Sequence, residues 1–208
     1  MMENKNEVKV WDIAIRVFHW SLVMLFAVGY ITGEEESLVH IYSGYAVLGL
    51  VIFRIFWGMV GTRNARFSSF IFPPKSVAHY LAGVLRGLPD YYVGHNPAGG
   101  WMVLAMLLCL LVVSITGLKL YGLEGHGPLA AATTGNIELI TKAHANGRDH
   151  DNEEEDEFWE EVHEASANLM LVLIAFHVVG VIVSGRIHKE NLVKAMITGK
   201  KPVHKQKE

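Results

Sequence analysis

The sequence has very little cysteine and few charged residues. Its single cysteine, Cys109, lies inside an apolar run, so an intrachain disulfide is excluded. No Cys-x-x-Cys-His motif is present, which excludes covalent attachment of a c-type haem. Only 19% of the 208 residues are charged and 51% are hydrophobic, which is too apolar for a typical soluble domain of this length. The low content of charged residues and the high content of hydrophobic residues indicate a protein that resides in a lipid bilayer.

Four segments approach the roughly 20 mostly apolar residues that a helix needs to cross the hydrocarbon layer. They cover about 13–31, 38–60, 98–118 and 158–185. A polar segment, 1–12, precedes the first span without a small-residue cleavage site, so we expect that span to remain in the mature protein. The sequence therefore predicts an all-α membrane protein, in which four transmembrane helices form a single membrane domain.

Charge is segregated along the chain, although the net charge is only -3. Basic residues concentrate near the N-terminus, in the loop 61–96 and in the tail 186–208, whereas acidic residues occupy 34–36 and 149–157. By the positive-inside rule, the termini and the loop 61–96 are predicted to be cytoplasmic and the acidic loop 119–157 periplasmic. We expect a multi-pass protein of the bacterial inner membrane, with lipid as a partner and no nucleic-acid partner.

The two longer loops carry further local patterns. In the cytoplasmic loop, SVAHYLAGVLRGL can place its apolar residues on one face of a short surface helix. Asn96 and Pro97 have the pattern of a helix N-cap and first helical position. The loop 119–157 is long enough to be a docking element or partly disordered, and its acidic run could also be a solvated stretch.

Four histidines lie inside the predicted spans, at His19, His40, His163 and His177. A histidine inside a membrane is costly to bury without a partner. His163 and His177 are separated by close to four helical turns, so they point to the same side about 21 Å apart in height. The predicted topology places His19 level with His177, here called the inner pair, and His40 level with His163, here called the outer pair.

Two level-matched pairs are what bis-histidine ligation of two stacked b-type haems requires, with one imidazole on each face of each iron. Gly44, one turn after His40, and Gly180, nearly one turn after His177, would let a flat macrocycle approach the backbone. A lone membrane histidine could instead hydrogen-bond to a neighbouring helix, but four in two tiers are harder to explain in that way. The bundle is therefore predicted to enclose two haems.

Two arginines, Arg16 and Arg54, fall near the predicted level of the inner pair. Either could pair with a haem propionate, or could extend to the cytoplasmic head groups instead. The other histidines carry weaker predictions. In the outer loop, solvated side chains are favoured over a metal site for His126, His144 and His150. The sequence leaves open the roles of His79, His95, His188 and His204.

Several motifs occur together in the chain. They are WDxxxRxxHW from Trp11, HxxxG from His40, RxxWGxxGxxxARF from Arg54, HNPxGG from His95, and the His163/His177 pair. The combination resembles the bacterial cytochrome b561 family, which includes the b-type cytochrome subunits of nickel-iron hydrogenases. The resemblance covers nearly the whole chain except the third loop and about the last dozen residues. It implies a four-helix di-haem cytochrome b of the inner membrane, with quinone as one electron carrier.

The leading hypothesis is electron transfer across the membrane between quinone and a periplasmic redox protein, either a c-type cytochrome or a hydrogenase-like enzyme. A quinone pocket near the inner haem would involve Arg16, Trp20, His79 or His95. The alternatives are a superoxide oxidase that reduces quinone, also suggested by the family, and a haem-free scaffold or transporter. The sequence leaves open whether the chain is a subunit or a quinone oxidoreductase, and whether it forms a homodimer.

Overall fold

The computed structural model describes residues 7–33, 37–130 and 148–202, with only the backbone for 148–155. Four helices are long and apolar enough to cross a membrane: α1 (Ile13–Ile31), α2 (Leu38–Val60), α4 (Pro97–Leu123) and α5 (Arg148–His188). The other elements are β1 (Glu7–Lys9), a 3-10 turn (Phe67–Ser69), α3 (Pro74–Leu85), α6 (Leu192–Thr198) and β2 (Lys200–Pro202). The described chain is mostly helical, as the sequence predicts.

Polar side chains mark where the spanning helices begin, because a helix leaves its first backbone N–H groups without partners. The Oδ1 atom of Asp12 accepts from the backbone N–H of Ile15 over 2.8 Å at the start of α1. The Oδ1 atom of Asn96 accepts from the N–H of Gly99 over 2.7 Å at the start of α4. Pro97 occupies the first position of α4, so the predicted helix start is confirmed.

The third and fourth spanning helices continue past the apolar segments. α4 runs to Leu123, and α5 has 41 residues, which corresponds to about 60 Å against a hydrocarbon layer of about 30 Å. Helical structure therefore extends into the predicted loop 119–157 from both sides, because 119–123 belong to α4 and 148–157 belong to α5. Hydropathy detects only the apolar part of a helix, so a polar extension is missed. Residues 131–147 lie outside the described part of the chain.

The two end segments pair with each other in a way that the sequence did not suggest. β1 and β2 are antiparallel, with Val8 opposite Lys201. Gly199 has a positive φ of 78°, and its carbonyl accepts from the N–H groups of Val10 and Trp11 over 2.8 and 3.1 Å. The predicted basic tail 186–208 therefore contains the end of α5, α6 and a strand. We call the side of the bundle formed by β1, β2 and residues 61–96 the terminal face.

The segment 61–96 packs against the ends of the spanning helices at the terminal face. It contains α3, the short helix that was predicted, and this helix exposes the apolar side chains of Leu81 and Leu85. Glycines on α2 and α4 permit residues of this segment to pack closely against those two helices. A Cβ atom on Gly58 would lie 2.2 Å from the Phe67 ring, and one on Gly100 would lie 2.1 Å from the backbone oxygen of Phe70. The glycines of two motifs therefore have a packing role.

The core lies in the middle of the bundle. α4 packs along α5, α1 along α2, and α2 along α4. Met170 is 1% exposed and lies seven residues from each histidine of α5, so it is midway between their heights. The buried side chains of this central cluster are Val47, Val51, Cys109, Leu110 and Met170. An apolar layer thus separates the two histidine levels.

Candidate functional site

The inner pair consists of His19 on α1 and His177 on α5. The centres of the two imidazole rings are 6.4 Å apart, and the rings are tilted by 49°. Trp20 packs edge-on against His19, with ring centres 5.1 Å apart, and its side chain is 39% exposed. The structure therefore brings together the two residues that the predicted topology placed at one level.

The outer pair consists of His40, in the first turn of α2, and His163 on α5. Their ring centres are 6.0 Å apart and the rings are nearly perpendicular, at 81°. Since His163 and His177 lie on one continuous helix, the two pairs differ in height by about 21 Å. The site has two separate levels, and one histidine of each pair comes from the same helix.

The spacing of the rings fits one metal held between each pair. An imidazole nitrogen binds a metal at about 2 Å and lies roughly 1 Å from its own ring centre, so two rings sharing one metal have centres about 6 Å apart. The observed 6.4 and 6.0 Å agree with that separation. Among the described residues, no three His, Cys, Asp or Glu side chains converge. A cofactor iron that would be held by the two histidines of a pair suits this donor set better than a four-coordinate zinc ion.

Open space lies beside a residue of each pair. A Cβ atom added to Gly44 or Gly180 would have no neighbour within 4 Å. A cavity of about 120 Å³ lies beside the outer pair and is lined by Gly44, Ala167 and both histidines of that pair. These small residues provide room in which a flat group could approach the helices.

The two predicted arginines lie near the terminal face in different surroundings. Arg54 is 3% exposed, its guanidinium carbon is 5.0 Å from the centre of the Phe67 ring, and its Nη1 atom has no hydrogen-bond partner among the described residues. This burial excludes the alternative in which Arg54 extends to the head groups. Arg16 donates from Nη1 to the backbone oxygen of Ile197, while its buried Nε atom has no partner in the described chain. Both arginines retain donors for an anionic group.

His95 is packed between two aromatic rings of the terminal face. Its ring centre is 4.6 Å from that of Trp11 and 4.7 Å from that of Phe70. Burial, followed by the nearby positive charges of Arg54 and Lys201, lowers the pKa of His95 to about 3. Its Nδ1 atom is buried and has no hydrogen-bond partner in the described part of the chain. His95 is therefore neutral at physiological pH.

Three further histidines of the described chain contact residues other than the two pairs. The side chain of His79 is 81% exposed and lies 3.8 Å from Asp90. His126 stacks on Tyr121, and His188 lies edge-on to Tyr91. His144, the side chain of His150, and His204 are outside the described residues. Among the described residues, His79, His126 and His188 have their contacts away from the two pairs.

Residues on two helices contact the outer pair and were missed from the sequence. The Nδ1 atom of His40 lies 2.8 Å from the carbonyl oxygen of Gly29, and that of His163 lies 2.9 Å from Oγ1 of Thr116. A Cβ atom on Gly117 would lie 2.9 Å from the His163 ring, so glycine is required for this approach. A threonine followed by glycine in an otherwise apolar span was the available signal, because polar groups in spans usually contact other helices.

Comparison with known proteins identifies relatives. The family model described as prokaryotic cytochrome b561 matches residues 10–199. Curated relatives include probable Ni/Fe-hydrogenase B-type cytochrome subunits from Rhizobium leguminosarum bv. viciae, 29% identical over 153 residues, and from Azotobacter vinelandii, 30% identical over 159 residues. These matches cover 59% and 61% of this chain, and 63% and 64% of the relatives.

A probable Ni/Fe-hydrogenase 1 B-type cytochrome subunit from Escherichia coli K12 is 28% identical over 142 residues, covering 54% of this chain and 59% of the relative. The chain thus spans just under two thirds of the length of these relatives. No solved structure shows a significant match. The family match covers nearly the whole chain and includes all four histidines of the two pairs. The chain therefore belongs to the prokaryotic cytochrome b561 family and is a multi-pass bacterial membrane protein of the b-type cytochrome class.

Proposed function

We propose that the chain is a di-haem cytochrome of the inner membrane that transfers electrons between a periplasmic redox protein and membrane quinone. The observation that carries the proposal is the presence of two histidine pairs at two heights, each with the ring separation that one shared metal requires. When bound, haem b supplies one-electron redox chemistry, and the protein supplies binding, orientation and electrostatics.

Each residue group has a distinct role in this proposal. His19 and His177 hold the inner haem, and His40 and His163 hold the outer one. Gly44 and Gly180 leave room beside the ligands. The unpartnered donors of Arg16 and Arg54 are suited to neutralise carboxylates near the inner pair.

The charge distribution supports a cytoplasmic terminal face. The described residues of that face and of its helix ends include many cations: Arg63, Arg66, Lys75, Arg86, Arg186, Lys189, Lys194, Lys200 and Lys201. On the opposite side, the part of α5 around His163 carries Glu157, Glu160, Glu161 and Glu164. This acidic stretch would attract a basic region of a redox protein and repel an anion such as superoxide. The names of the curated relatives support a hydrogenase-like enzyme as that redox protein.

The test is the haem content of the purified protein, measured by a pyridine haemochrome assay together with reduced-minus-oxidised spectra. We expect two haem b groups per chain. His163→Ala and His177→Ala should each remove one, whereas His79→Ala, at an exposed position, should retain both. A wild-type protein without haem, or ligand variants that both retain two, would contradict the proposal. In liposomes, the wild-type protein should also transfer electrons from an external reductant to quinone.

A further inference from the structure

The two pairs differ in how their second ring nitrogens are bonded. In the outer pair, the Nδ1 atoms of His40 and His163 lie within hydrogen-bond distance of Gly29 O and Thr116 Oγ1. In the inner pair, the Nδ1 atom of His19 is buried and has no partner among the described residues. The rings of the outer pair are therefore fixed by contacts that His19 does not have.

The identity of the acceptors determines which nitrogen of each outer ring carries the proton. A backbone oxygen can only accept, so the Nδ1 of His40 must donate to Gly29. The Thr116 hydroxyl has one proton, and it points to the carbonyl of Val112 or Val113 on its own helix, at 2.9 and 3.0 Å. When Nε2 of His163 binds a metal, Nδ1 carries the ring proton, so the oxygen of Thr116 accepts from the Nδ1–H of His163. Both outer rings keep the lone pair of Nε2 available for a metal.

Thr116 is firmly held in this position. Its side chain is 3% exposed, and the neighbouring Gly117 admits the His163 ring to the surface of α4. Replacement of the hydroxyl by a methyl group would remove the Thr116 oxygen as an acceptor for the Nδ1–H of His163 and leave the backbone oxygen of Val113 as the remaining acceptor. The loss of one acceptor would therefore act on the histidine without removing much packing volume.

We propose that Thr116 is a positioning residue that fixes the tautomer of His163 and makes the outer haem the one with the lower reduction potential. This inference rests on the proposed function. A histidine that donates its second N–H to an acceptor is a more electron-rich ligand, which favours the oxidised metal. In the inner pair, the Nδ1 atom of His19 has no such acceptor among the described residues, so this ligand is less electron-rich and favours the reduced state. An added electron is then more stable at the inner level.

The test is a potentiometric titration of the purified holoprotein, which should resolve two reduction steps. Thr116→Val should raise the lower potential, with the reduction equilibrium constant increasing by up to about tenfold, equivalent to about 59 mV for one electron. Thr116→Ser restores the hydroxyl and should return the potential towards the wild-type value. Ser166→Ala is the matched control, because Ser166 is buried and donates to the backbone of His163, not to its ring.

The possible outcomes distinguish failure of this inference from failure of the proposed function. A wild-type protein without two haems refutes the proposed function itself. Two haems in Thr116→Val with unchanged potentials, or a shift of the higher potential only, overturns the inference and leaves the proposed function standing. If Thr116→Val loses one haem, retention of both in Thr116→Ser supports the role of the hydroxyl. Loss in both variants overturns it.

Discussion

The indole Nε1–H of Trp57, at the end of α2, donates to Oδ2 of Asp12, at the start of α1, over 3.2 Å. The same Oδ2 accepts from the Thr62 hydroxyl over 2.5 Å, while Oδ1 caps α1 through Ile15. Burial alone would raise the pKa of Asp12, but the hydrogen bonds from Thr62, Ile15 and Trp57 outweigh it and lower the pKa. One carboxylate thus fastens two spanning helices to each other at the terminal face.

Replacement of this carboxylate should therefore destabilise the bundle. Asp12→Ala removes a helix cap and two further hydrogen bonds, so we expect a loss of about 2–3 kcal/mol. Asp12→Asn should lose less, because its amide oxygen can still cap α1. The measurement is the apparent midpoint of thermal unfolding in detergent, with Asp90→Ala as a control at an exposed position. Equal midpoints for Asp12→Ala and the control would show that the contacts are unimportant.

Bulk added beside the histidine pairs should reduce haem occupancy. Gly44→Leu and Gly180→Leu place a side chain in the open space near the outer and inner pairs, and each should lower haem content by up to one equivalent. Gly49→Leu is the matched control, because Gly49 also has no neighbour within 4 Å but lies half a turn round α2 from His40. If all three variants retain two haems per chain, the glycines have no role in haem access.

A buried ion pair should hold the C-terminal elements in place. The Nζ atom of Lys201 lies 3.1 Å from Oε2 of Glu190, the two side chains are 5% and 3% exposed, and Tyr91 donates to the same carboxylate. Glu190→Gln would leave a buried charge unpaired, at a cost of about 3–5 kcal/mol. Breaking the exposed pair of Lys200 and Glu7 by Lys200→Ala should cost less than about 1 kcal/mol. The measurement is thermal unfolding of both variants. A larger loss of stability in Lys200→Ala than in Glu190→Gln would contradict this prediction.

Stability should fall as the pH is lowered through the histidine range. Unfolded His95 takes up a proton near its ordinary pKa of 6.5, whereas the folded residue stays neutral down to a pKa of about 3. The unfolded chain therefore binds more protons between these values, and at pH 5 the loss attributable to His95 should be about 2 kcal/mol relative to pH 7.5. His95→Phe keeps a ring between Trp11 and Phe70 and should flatten the decline. His79→Ala, at an exposed position, should leave the decline unchanged. The measurement is thermal unfolding of the wild-type protein and both variants between pH 5 and 7.5.

The sequence was sufficient for the helices and for the heights of the four histidines because both depend on regular helical geometry. Fourteen residues on one helix fix a vertical distance whatever surrounds them, and the apolar lengths fix how far each helix enters the membrane. The arrangement of His19 beside His177, and of His40 beside His163, follows from those two quantities.

The missed features depend on contacts between residues distant in sequence. The pairing of β1 with β2, the burial of Arg54 under Phe67, and the hydrogen bond from His163 to Thr116 have no local pattern that would identify both partners. The polar extension of α5 was missed for a different reason, because charged residues that continue a helix outside the membrane resemble a loop by composition alone.

The central cluster has a consequence for energy conservation. Val47, Val51, Leu110 and Met170 fill most of the layer between the two levels of histidines, and the thiol of Cys109, the fifth member, is engaged with the backbone oxygen of Ser166. Such a layer acts as an insulator for ions, while electrons can cross a dry gap by tunnelling. In the di-haem carrier proposed above, electrons would therefore displace negative charge through the bilayer without a proton leak, and turnover would be coupled to the membrane voltage.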